Sequence, residues 1–229
     1  MPEPQPQHTN RQYEEELRAL RTRLLKMGGM VERQITDAVE SMVSRNSDEA
    51  REVIALDAEV NRMDIDIEAM CVRLLALRQP AAGDLRFITT GLKIDYDLER
   101  IGDLAVNICE RTLELNEEPI FGRYVDIPRI AAIVESMVKD SLDAFLAGDC
   151  ELAQRVMERD DEVDKLNREI FRELLSYMAE DPHAINRGAR ILFISKNLER
   201  IADHAKNVAE MVVFMVKGKT IRHMDKSKQ

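Results

Sequence analysis

One thirteen-residue pattern occurs twice in this sequence, with the two copies one hundred positions apart. Residues 98–110 read LERIGDLAVNICE, and residues 198–210 read LERIADHAKNVAE. Leu, Glu, Arg, Ile, Asp, Ala, Asn and Glu recur in register between the copies. A repeat of this length indicates two copies of one structural unit, which constrains the fold more than any other feature of the chain.

Each copy has the spacing of an amphipathic helix. Apolar residues at positions such as Ile101, Leu104 and Ile108 share one side of the helix, and the carboxylates lie on the other. His204 replaces Leu104 in the second copy, and we interpret it as a core or boundary histidine rather than a ligand. The absence of Trp and the abundance of Leu, Ala, Glu and Arg also favour helices over sheets.

The repeat extends beyond this pattern, because residues 57–61 match residues 160–164 at an offset of 103. The three-residue change in offset falls in a loop, where insertions are tolerated. The sequence therefore predicts an all-α fold: six helices forming a tandem pair of antiparallel three-helix bundles. The predicted segments are a disordered tail at 1–11, a first bundle at 12–117, a linker at 118–127, a second bundle at 128–217 and a polar tail at 218–229.

The charge balance restricts the function. The net charge is −10 and the sequence pI is near 5.1, so direct nucleic-acid binding, which requires a basic surface, is not expected. Three cysteines without paired spacing suit a reducing compartment, and no apolar run approaches the length of a membrane span. The first residues lack the pattern of a signal peptide. We therefore expect a soluble, cytoplasmic protein without membrane insertion.

Carboxylates spaced four residues apart are the candidate site residues. Like charges at this spacing cost about 0.2–0.5 kcal/mol on an isolated helix, so their repetition in register calls for an explanation. Each unit carries one such pair on its third helix and one related pair on its second helix. The predicted metal-ligating residues are Asp57, Asn61, Glu99 and Asp103 in the first unit, and Asp160, Asp164, Glu199 and Asp203 in the second.

Two interpretations of these pairs remain open. Oxygen ligands from two adjacent antiparallel helices suit hard or borderline cations such as Mg, Mn, Fe or Zn. Alternatively, the carboxylates form a solvated acidic surface or make salt bridges with Arg100 and Arg200. The sequence has no phosphate-binding glycine loop, no nucleophile elbow and no paired-cysteine zinc site. A catalytic function therefore has little support.

The sequence resembles the PhoU family over roughly residues 12 to 217. Residues 78–86 read RQPAAGDLR, and LKI at 92–94 and LERIGD at 98–103 follow them. The combination of this turn, the duplicated L-E-R-I-x-D motif and the doubled three-helix plan is specific to that family. The second unit keeps residues 198–203 but lacks the Q-P-x-x-x-D-L-R turn, so the two units need not be equivalent.

The resemblance implies a fold, a cofactor and an oligomeric state. PhoU proteins consist of two three-helix bundles, and a homodimer is expected. In some members, paired E(D)-x-x-x-D motifs are associated with multinuclear iron or zinc clusters, which on this chain correspond to the eight residues named above. Asn61 departs from an acidic ligand, so the first site is expected to bind a cation more weakly than the second.

The resemblance also implies a regulatory role rather than an enzymatic one. PhoU proteins couple the ATPase subunit of the phosphate ABC transporter to a sensor histidine kinase, and they repress the phosphate-starvation response. We expect this chain to be such an adaptor. The alternatives are a metal store or metal-dependent enzyme built on the carboxylate pairs, and a plain helical scaffold.

Overall fold

The computed structural model describes residues 7–119 and 126–219, with side chains described from residue 11 onward. These residues form six α-helices and one short 3₁₀ helix, and no strand occurs among them. The predicted all-α fold is therefore confirmed. The helices are α1 Gln7–Ser44, α2 Ser47–Arg78, α3 Ala82–Asn116, α4 Ile127–Ala147, α5 Cys150–Glu180 and α6 Ile185–Lys217, with the 3₁₀ helix at Pro182–Ala184.

The first helix begins earlier than the sequence analysis predicted. Helix α1 starts at Gln7, so residues 7–11 are helical where a disordered tail was expected. The physical reason is that Pro6 is the last proline of the segment, and no helix-breaking residue follows it. Residues 1–6 of the predicted tail, 120–125 of the predicted linker and 220–229 of the predicted polar tail lie outside the described residues.

Local signals fix the turns between α1 and α2 and between α4 and α5. The Asn46 side chain accepts hydrogen bonds from the backbone N–H groups of Asp48 and Glu49 at 3.1 and 3.2 Å. Asp149 caps α5 in the same way, at 2.8 and 3.0 Å. Gly148 supplies the left-handed backbone conformation, with φ of 64°, that ends α4. These caps place equivalent helices at equivalent positions in the two units.

The six helices pack as two three-helix bundles that adjoin along two of their helices. Helices α1, α2 and α3 pack against one another, as do α4, α5 and α6. Across the junction α3 packs on α6, and α1 packs on α4. Within the described residues, helices α2 and α5 contact only elements of their own unit. Each therefore forms an outer edge of the molecule.

The two bundles share a single hydrophobic core, which the sequence did not predict. Buried apolar side chains from all six helices form one continuous cluster. Phe87 of α3 stacks on Phe145 of α4 with ring centroids 5.5 Å apart, joining the units at one end. At the α1–α4 contact, a Cβ on Gly28 would lie 2.4 Å from Leu142 Cδ1, so only glycine permits this approach without a shift of the leucine.

The junction relates the two units by an approximate twofold axis. Arg86, Asp97 and Glu114 of α3 contact residues of steadily decreasing number on α6, so the two helices run antiparallel. Their partners on α6 are Met215, His204 and Arg190. Because α3 and α6 are the two copies of the repeated helix, their antiparallel contact brings repeat-equivalent residues into related environments.

Within residues 7–119 and 126–219, no helix combines the length and the apolar character that crossing a bilayer requires.

Candidate functional site

The groove between α2 and α3 carries the four predicted site residues of the first unit. We call this groove the first seam and define it by Asp57, Asn61, Asp64, Asp95, Glu99 and Asp103. The i, i+4 spacing on each helix and the packing of α2 on α3 bring these side chains together. Of the predicted carboxylates, Asp103 lies close enough to raise the pKa of both Asp57 and Glu99, and Asp57 also raises that of Glu99.

Few cations neutralise the first seam. Arg100 Nη1 lies 3.0 Å from Asp103 Oδ2, and Arg100 Nε lies 3.3 Å from Glu99 Oε2, so Arg100 forms the salt bridges considered as an alternative to metal binding. The Glu99 contact does not have hydrogen-bonding geometry, and Glu99 Oε2 is buried without a hydrogen-bond partner among the described residues. Asp57 Oδ1 is also buried without a hydrogen-bond partner among the described residues, although Asn61 donates to the other oxygen, Asp57 Oδ2, at 2.8 Å.

The electrostatics follow from this excess of negative charge. Burial raises the pKa of Asp57, the nearby carboxylate of Asp103 raises it further, and the neighbouring amides of Asn61 and Gln34 only partly oppose them. Burial also raises the pKa of Glu99, with a further contribution from Asp103. The first seam therefore holds its carboxylates in an environment that favours either protonation or an added cation.

A buried amide from α1 reaches the same place. Gln34 is fully buried, and its amide nitrogen and oxygen have no hydrogen-bond partner among the described side chains and backbone groups. Gly102 leaves room for it, because a Cβ at that position would lie 3.2 Å from Gln34 Oε1 and 3.4 Å from Asp57 Oδ1. In the second unit, the repeat-equivalent residues are Met137 and Ala202. This pocket is therefore specific to the first unit.

Asp64 and Asp95 extend the first seam away from the predicted ligands. Asp95 is 1% exposed, and its Oδ1 has no hydrogen-bond partner within the described part of the chain. Burial and the neighbouring Asp64, with smaller contributions from Glu68 and Glu99, raise the pKa of Asp95 to about 8. Asp95 therefore remains largely protonated at neutral pH, which allows a carboxyl group to be buried beside other carboxylates.

The equivalent groove of the second unit is neutralised by the protein's own lysines. We call it the second seam and define it by Asp160, Asp164, Asn167, Ser195, Glu199 and Asp203, on α5 and α6. The ammonium group of Lys206 donates to the buried Asp160, and Lys196 Nζ donates to Glu199 at 2.6 Å. Burial acts to lower the pKa of Lys206, but the hydrogen bond to Asp160 and the negative charges of Asp160, Glu210 and Asp203 together outweigh burial, and the pKa is raised.

Uncharged partners complete the second seam. Ser195 donates to Asn167 Oδ1 at 2.5 Å, and the Asn167 amide donates to Glu199. Ser195 and Asn167 are the repeat equivalents of Asp95 and Asp64, so a hydrogen-bonded neutral pair stands where the first unit has two carboxyl groups. Burial and the neighbouring Asp160 and Glu199 still raise the pKa of Asp203, although both lysines act against this.

The structure brings together most, but not all, of the predicted ligands. Asp164 pairs with Arg168, at 3.9 Å, whereas Asp160 and Glu199 pair with lysines. Arg200 forms no ion pair with the carboxylates of its unit in the described part of the chain, in contrast to Arg100. The residues that the sequence analysis missed in or beside the first seam are Gln34, Asp64, Asp95 and Gly102.

A metal ion would suit the two seams differently. No group of three or more His, Cys, Asp or Glu side chains within residues 11–119 and 126–219 is arranged to hold a metal ion. The first seam nevertheless supplies buried oxygen atoms without partners and a cradle at Gly102 that a Cβ would fill. In the second seam Lys206 and Lys196 occupy the carboxylates. The donor chemistry therefore fits a cation in the first unit and not in the second.

The structure adds a factor that acts against the expectation of a weaker first site, and the relative affinity of the two sites stays a prediction. Asn61 removes one negative charge, but it donates to Asp57 Oδ2 and leaves Asp57 Oδ1 without a partner. The second seam gains Asp164 but also contains two lysines. The net charge of a groove depends on the cations that reach it as well as on the motif.

His204 has a structural role at the junction of the units, as its position in the apolar stripe suggested. Its Nδ1 lies 2.7 Å from Oδ1 of the buried Asp97, and Asn207 Nδ2 lies 3.5 Å from the same oxygen. The interaction crosses from α6 to α3. His204 therefore provides a partner for a carboxyl group that would otherwise be isolated in the shared core.

The fold and these grooves define a class of protein: a duplicated three-helix protein whose polar chemistry lies in surface grooves between helices. Within that class, the PhoU domain family matches residues 24–112 and 127–212, one match for each unit. The chain therefore belongs to the PhoU family, and the resemblance noted in the sequence is confirmed.

Relatives with names support this assignment. The chain is 44% identical over 218 residues to the "Phosphate-specific transport system accessory protein PhoU homolog" of Pseudomonas aeruginosa, covering 95% of this chain and 90% of the relative. It matches the crystal structure of PhoU from Pseudomonas aeruginosa with a TM-score of 0.88 and 44% identity, over 90% of this chain and 100% of that one. It also matches the crystal structure of the "phosphate transport system regulatory protein PhoU" from Streptococcus pneumoniae. That match has a TM-score of 0.85 and 28% identity, over 91% of this chain and 99% of the other.

Proposed function

We propose that this chain regulates phosphate uptake and represses the phosphate-starvation two-component response as a cytoplasmic adaptor. In this proposal it binds the ATPase subunit of the phosphate ABC transporter and a sensor histidine kinase, and it catalyses no reaction. The family match across both units carries the proposal, because the related proteins are named as accessory and regulatory proteins of phosphate transport.

The difference between the two seams supports a protein with two distinct partners. The two units carry grooves at repeat-equivalent positions, but the first contains buried carboxylate oxygens without partners and the second contains the chain's own lysines. Surfaces with different charge select different partners, mainly through association rate and the exclusion of wrong partners. One chain can therefore hold the transporter subunit and the kinase at different faces.

Binding of purified components tests this adaptor function. We expect the purified chain to bind both the ATPase subunit and the cytoplasmic part of the kinase with dissociation constants of about 10 μM or below. A three-component complex should form when all three proteins are mixed, as measured by sedimentation velocity. Binding to neither partner at that concentration would contradict the proposal, and mutually exclusive binding would contradict the bridging role.

The alternative function is metal binding, and the unpartnered oxygen atoms of the first seam favour it. In this alternative Asp57, Glu99 and Asp103 hold a cation, either iron or zinc in a cluster, or Mg or Mn. The bound cation would supply positive charge that neutralises the first seam. Few cationic side chains of the chain itself would compete with the metal ion in this groove. Among the described residues, Arg100 is the only lysine or arginine that forms an ion pair there.

Metal analysis of matched variants separates this alternative from a plain acidic surface. We expect bound metal to be lost in a first-unit variant, Glu99→Gln with Asp103→Asn, and retained in the second-unit variant, Glu199→Gln with Asp203→Asn. Gly102→Ala, which copies Ala202, should also weaken binding because its Cβ enters the cradle. Absence of metal from the wild-type protein under iron-, zinc- and manganese-replete conditions, or equal loss from both unit variants, would sink the idea.

A further inference from the structure

The contact between α5 and α6 continues beyond the second seam. Asn167 accepts a hydrogen bond from Ser195 and donates one to Glu199. Further along α5, Met178 lies against Gly188, because a Cβ on that glycine would lie 2.8 Å from Met178 Cγ. Residue numbers rise on α5 as they fall on α6, so the two helices run antiparallel. The helical positions between these contacts therefore face one common groove.

Apolar side chains occupy this stretch of the groove, and two of them are exposed. Phe171 and Leu175 follow Asn167 at intervals of four residues, and they are 49% and 46% exposed. Leu192 lies on the facing side of α6 and is half-buried against the core. An exposed phenylalanine and leucine on one face of a helix form an apolar surface that the described helices leave uncovered.

Basic side chains border this apolar surface. We call the whole surface the basic groove and define it by Arg168, Phe171, Arg172, Leu175, Leu192 and Lys196. Lys196 donates to Glu199 at 2.6 Å and is neutralised. Arg168 pairs with Asp164 at the long distance of 3.9 Å. Arg172 is exposed and forms no ion pair with the described residues. The two arginines therefore carry positive charge that the chain neutralises only weakly.

The acidic residues of this part of α5 lie on its other flank. Glu169 and Glu173 follow Glu162 by seven and eleven residues, so the three share one helical face. Glu162 lines the groove between α4 and α5. The side of α5 that faces α6 therefore carries no carboxylate between residues 165 and 179, and α6 has no acidic residue between residues 185 and 198.

The first unit shows that the fold does not require a basic groove. The repeat equivalents of Arg168, Phe171 and Arg172 are Ile65, Glu68 and Ala69. The second unit thus has two arginines where the first has apolar side chains, and a phenylalanine where the first has a glutamate. Because α2 and α5 occupy equivalent places in their bundles, the basic groove has a cause outside the described fold.

The limits of the basic groove select its occupant. Packed helices lie about 8–10 Å apart, so the groove is about one helix wide. Carboxylates of the second seam lie beyond one end, and Glu169 and Glu173 lie beyond the α5 flank. A bilayer surface would extend over these carboxylates, and the net charge of −10 would oppose its binding to anionic lipid. Two copies of this chain paired groove to groove about a twofold axis would place arginine against arginine. A single acidic helix avoids both conflicts.

We propose that the basic groove binds an amphipathic helix of a partner protein, with its apolar face on Phe171, Leu175 and Leu192 and with aspartate or glutamate on the flank facing Arg168 and Arg172. This inference rests on the proposed function, since it names the surface that holds one of the two partners. A docked helix would bury the exposed phenylalanine, and arginine can bind a carboxylate through two parallel hydrogen bonds.

Charge reversal with a matched control tests the basic groove. The groove variant is Arg168→Glu with Arg172→Glu, and the control is Arg62→Glu with Arg73→Glu, at two exposed positions of α2. Both variants have the same net charge, so a difference between them reports where the charge lies. The affinities of the full-length proteins are measured against the purified ATPase subunit and against the purified cytoplasmic part of the kinase. Circular dichroism confirms folding.

We expect the groove variant to lose about tenfold or more in affinity for one partner, with about twofold change or less for the other. The α2 control should change either affinity by about threefold or less. Arg168→Lys with Arg172→Lys keeps the positive charge and should retain most of the affinity, whereas Phe171→Glu should weaken binding of the same partner. Added salt should weaken that partner's binding to the wild type more than its binding to the groove variant.

The outcomes separate this surface from the adaptor function. If the wild type binds and the folded groove variant binds both partners equally well, the basic groove is not their docking surface, and the adaptor function stands. Equal losses in the groove variant and the α2 control would assign the effect to net charge and overturn the inference. The inference would also be wrong if the groove variant lost only self-association, or only binding to vesicles of phosphatidylcholine and phosphatidylserine. If the wild type binds neither partner, the adaptor function fails and the inference fails with it.

Discussion

Copying the neutral pair of the second unit into the first, by Asp64→Asn with Asp95→Ser, is expected to raise the free energy of unfolding by several kcal/mol at pH 8.5. Burial and the neighbouring Asp64 raise the pKa of Asp95 to about 8. In the unfolded chain an aspartate has a pKa of about 3.9. The wild-type protein must therefore either hold a proton at Asp95 or accept a second buried charge.

The sign of the pH dependence follows from proton binding. Between about pH 4 and pH 8 the folded state binds one proton at Asp95 that the unfolded state has released. The contribution of Asp95 to the free energy of unfolding is therefore fully present below the pKa that Asp95 has in the unfolded chain. This contribution is lost as the pH rises toward 8. The neutral variant lacks this loss, so its advantage over the wild type should be small near pH 4.5 and should grow with pH.

Urea denaturation followed by circular dichroism at pH 4.5, 6.5 and 8.5 measures this difference. Asp66→Asn, which removes an exposed carboxylate from the same helix, is the control and should change stability by about 0.5 kcal/mol or less at each pH. An advantage of the double variant that does not vary with pH would show that Asp95 does not titrate in this range.

Replacing His204 by alanine is expected to lower the free energy of unfolding by about 3 kcal/mol at pH 7. Asp97 is buried at the junction of the units, and His204 Nδ1 is its closest recorded partner, at 2.7 Å. Without the imidazole, the carboxyl group keeps only the longer contact with Asn207. The penalty is that of a buried polar group left largely unsatisfied.

The repeat supplies the control for this substitution. Asp97→Asn with His204→Leu reproduces Asn197 and Leu104, the residues at the equivalent positions of the opposite units. We expect this double variant to regain most of the lost stability, as measured by the same urea titrations at pH 7. A double variant as unstable as His204→Ala would indicate that the surrounding core, rather than the isolated Asp97 carboxyl group, determines the loss.

The fold was largely predictable because its determinants are local. Asn46 and Asp149 cap their helices with side chains of the types favoured at helix N-termini, and the apolar stripes identify the buried faces. The shared core was not predictable, because an apolar stripe shows that a face is buried but not which helix covers it. The contact of Gly28 with Leu142 joins residues more than one hundred positions apart, and no local pattern marks it.

The candidate site was predictable only in part, for the same physical reason. The i, i+4 spacing located Asp57, Glu99 and Asp103 on facing sides of α2 and α3. Asp95 continues that spacing by one more turn and could have been included. Gln34 carried a weaker signal, as a polar residue within an apolar stripe. The neutralisation of Asp160 by Lys206 could not be read from spacing, because it depends on the direction that a long flexible side chain takes.

The core that α3 and α6 close around the twofold axis also bears on the history of this chain. A protein with only one three-helix unit would have to close that core by pairing with an identical copy, and each substitution would then alter both halves at once. Joining two copies by gene duplication and fusion removes this restriction. Lysine can then occupy position 206 while valine remains at 106, and histidine can occupy 204 while leucine remains at 104. The symmetric architecture persists, while selection acts on each half separately.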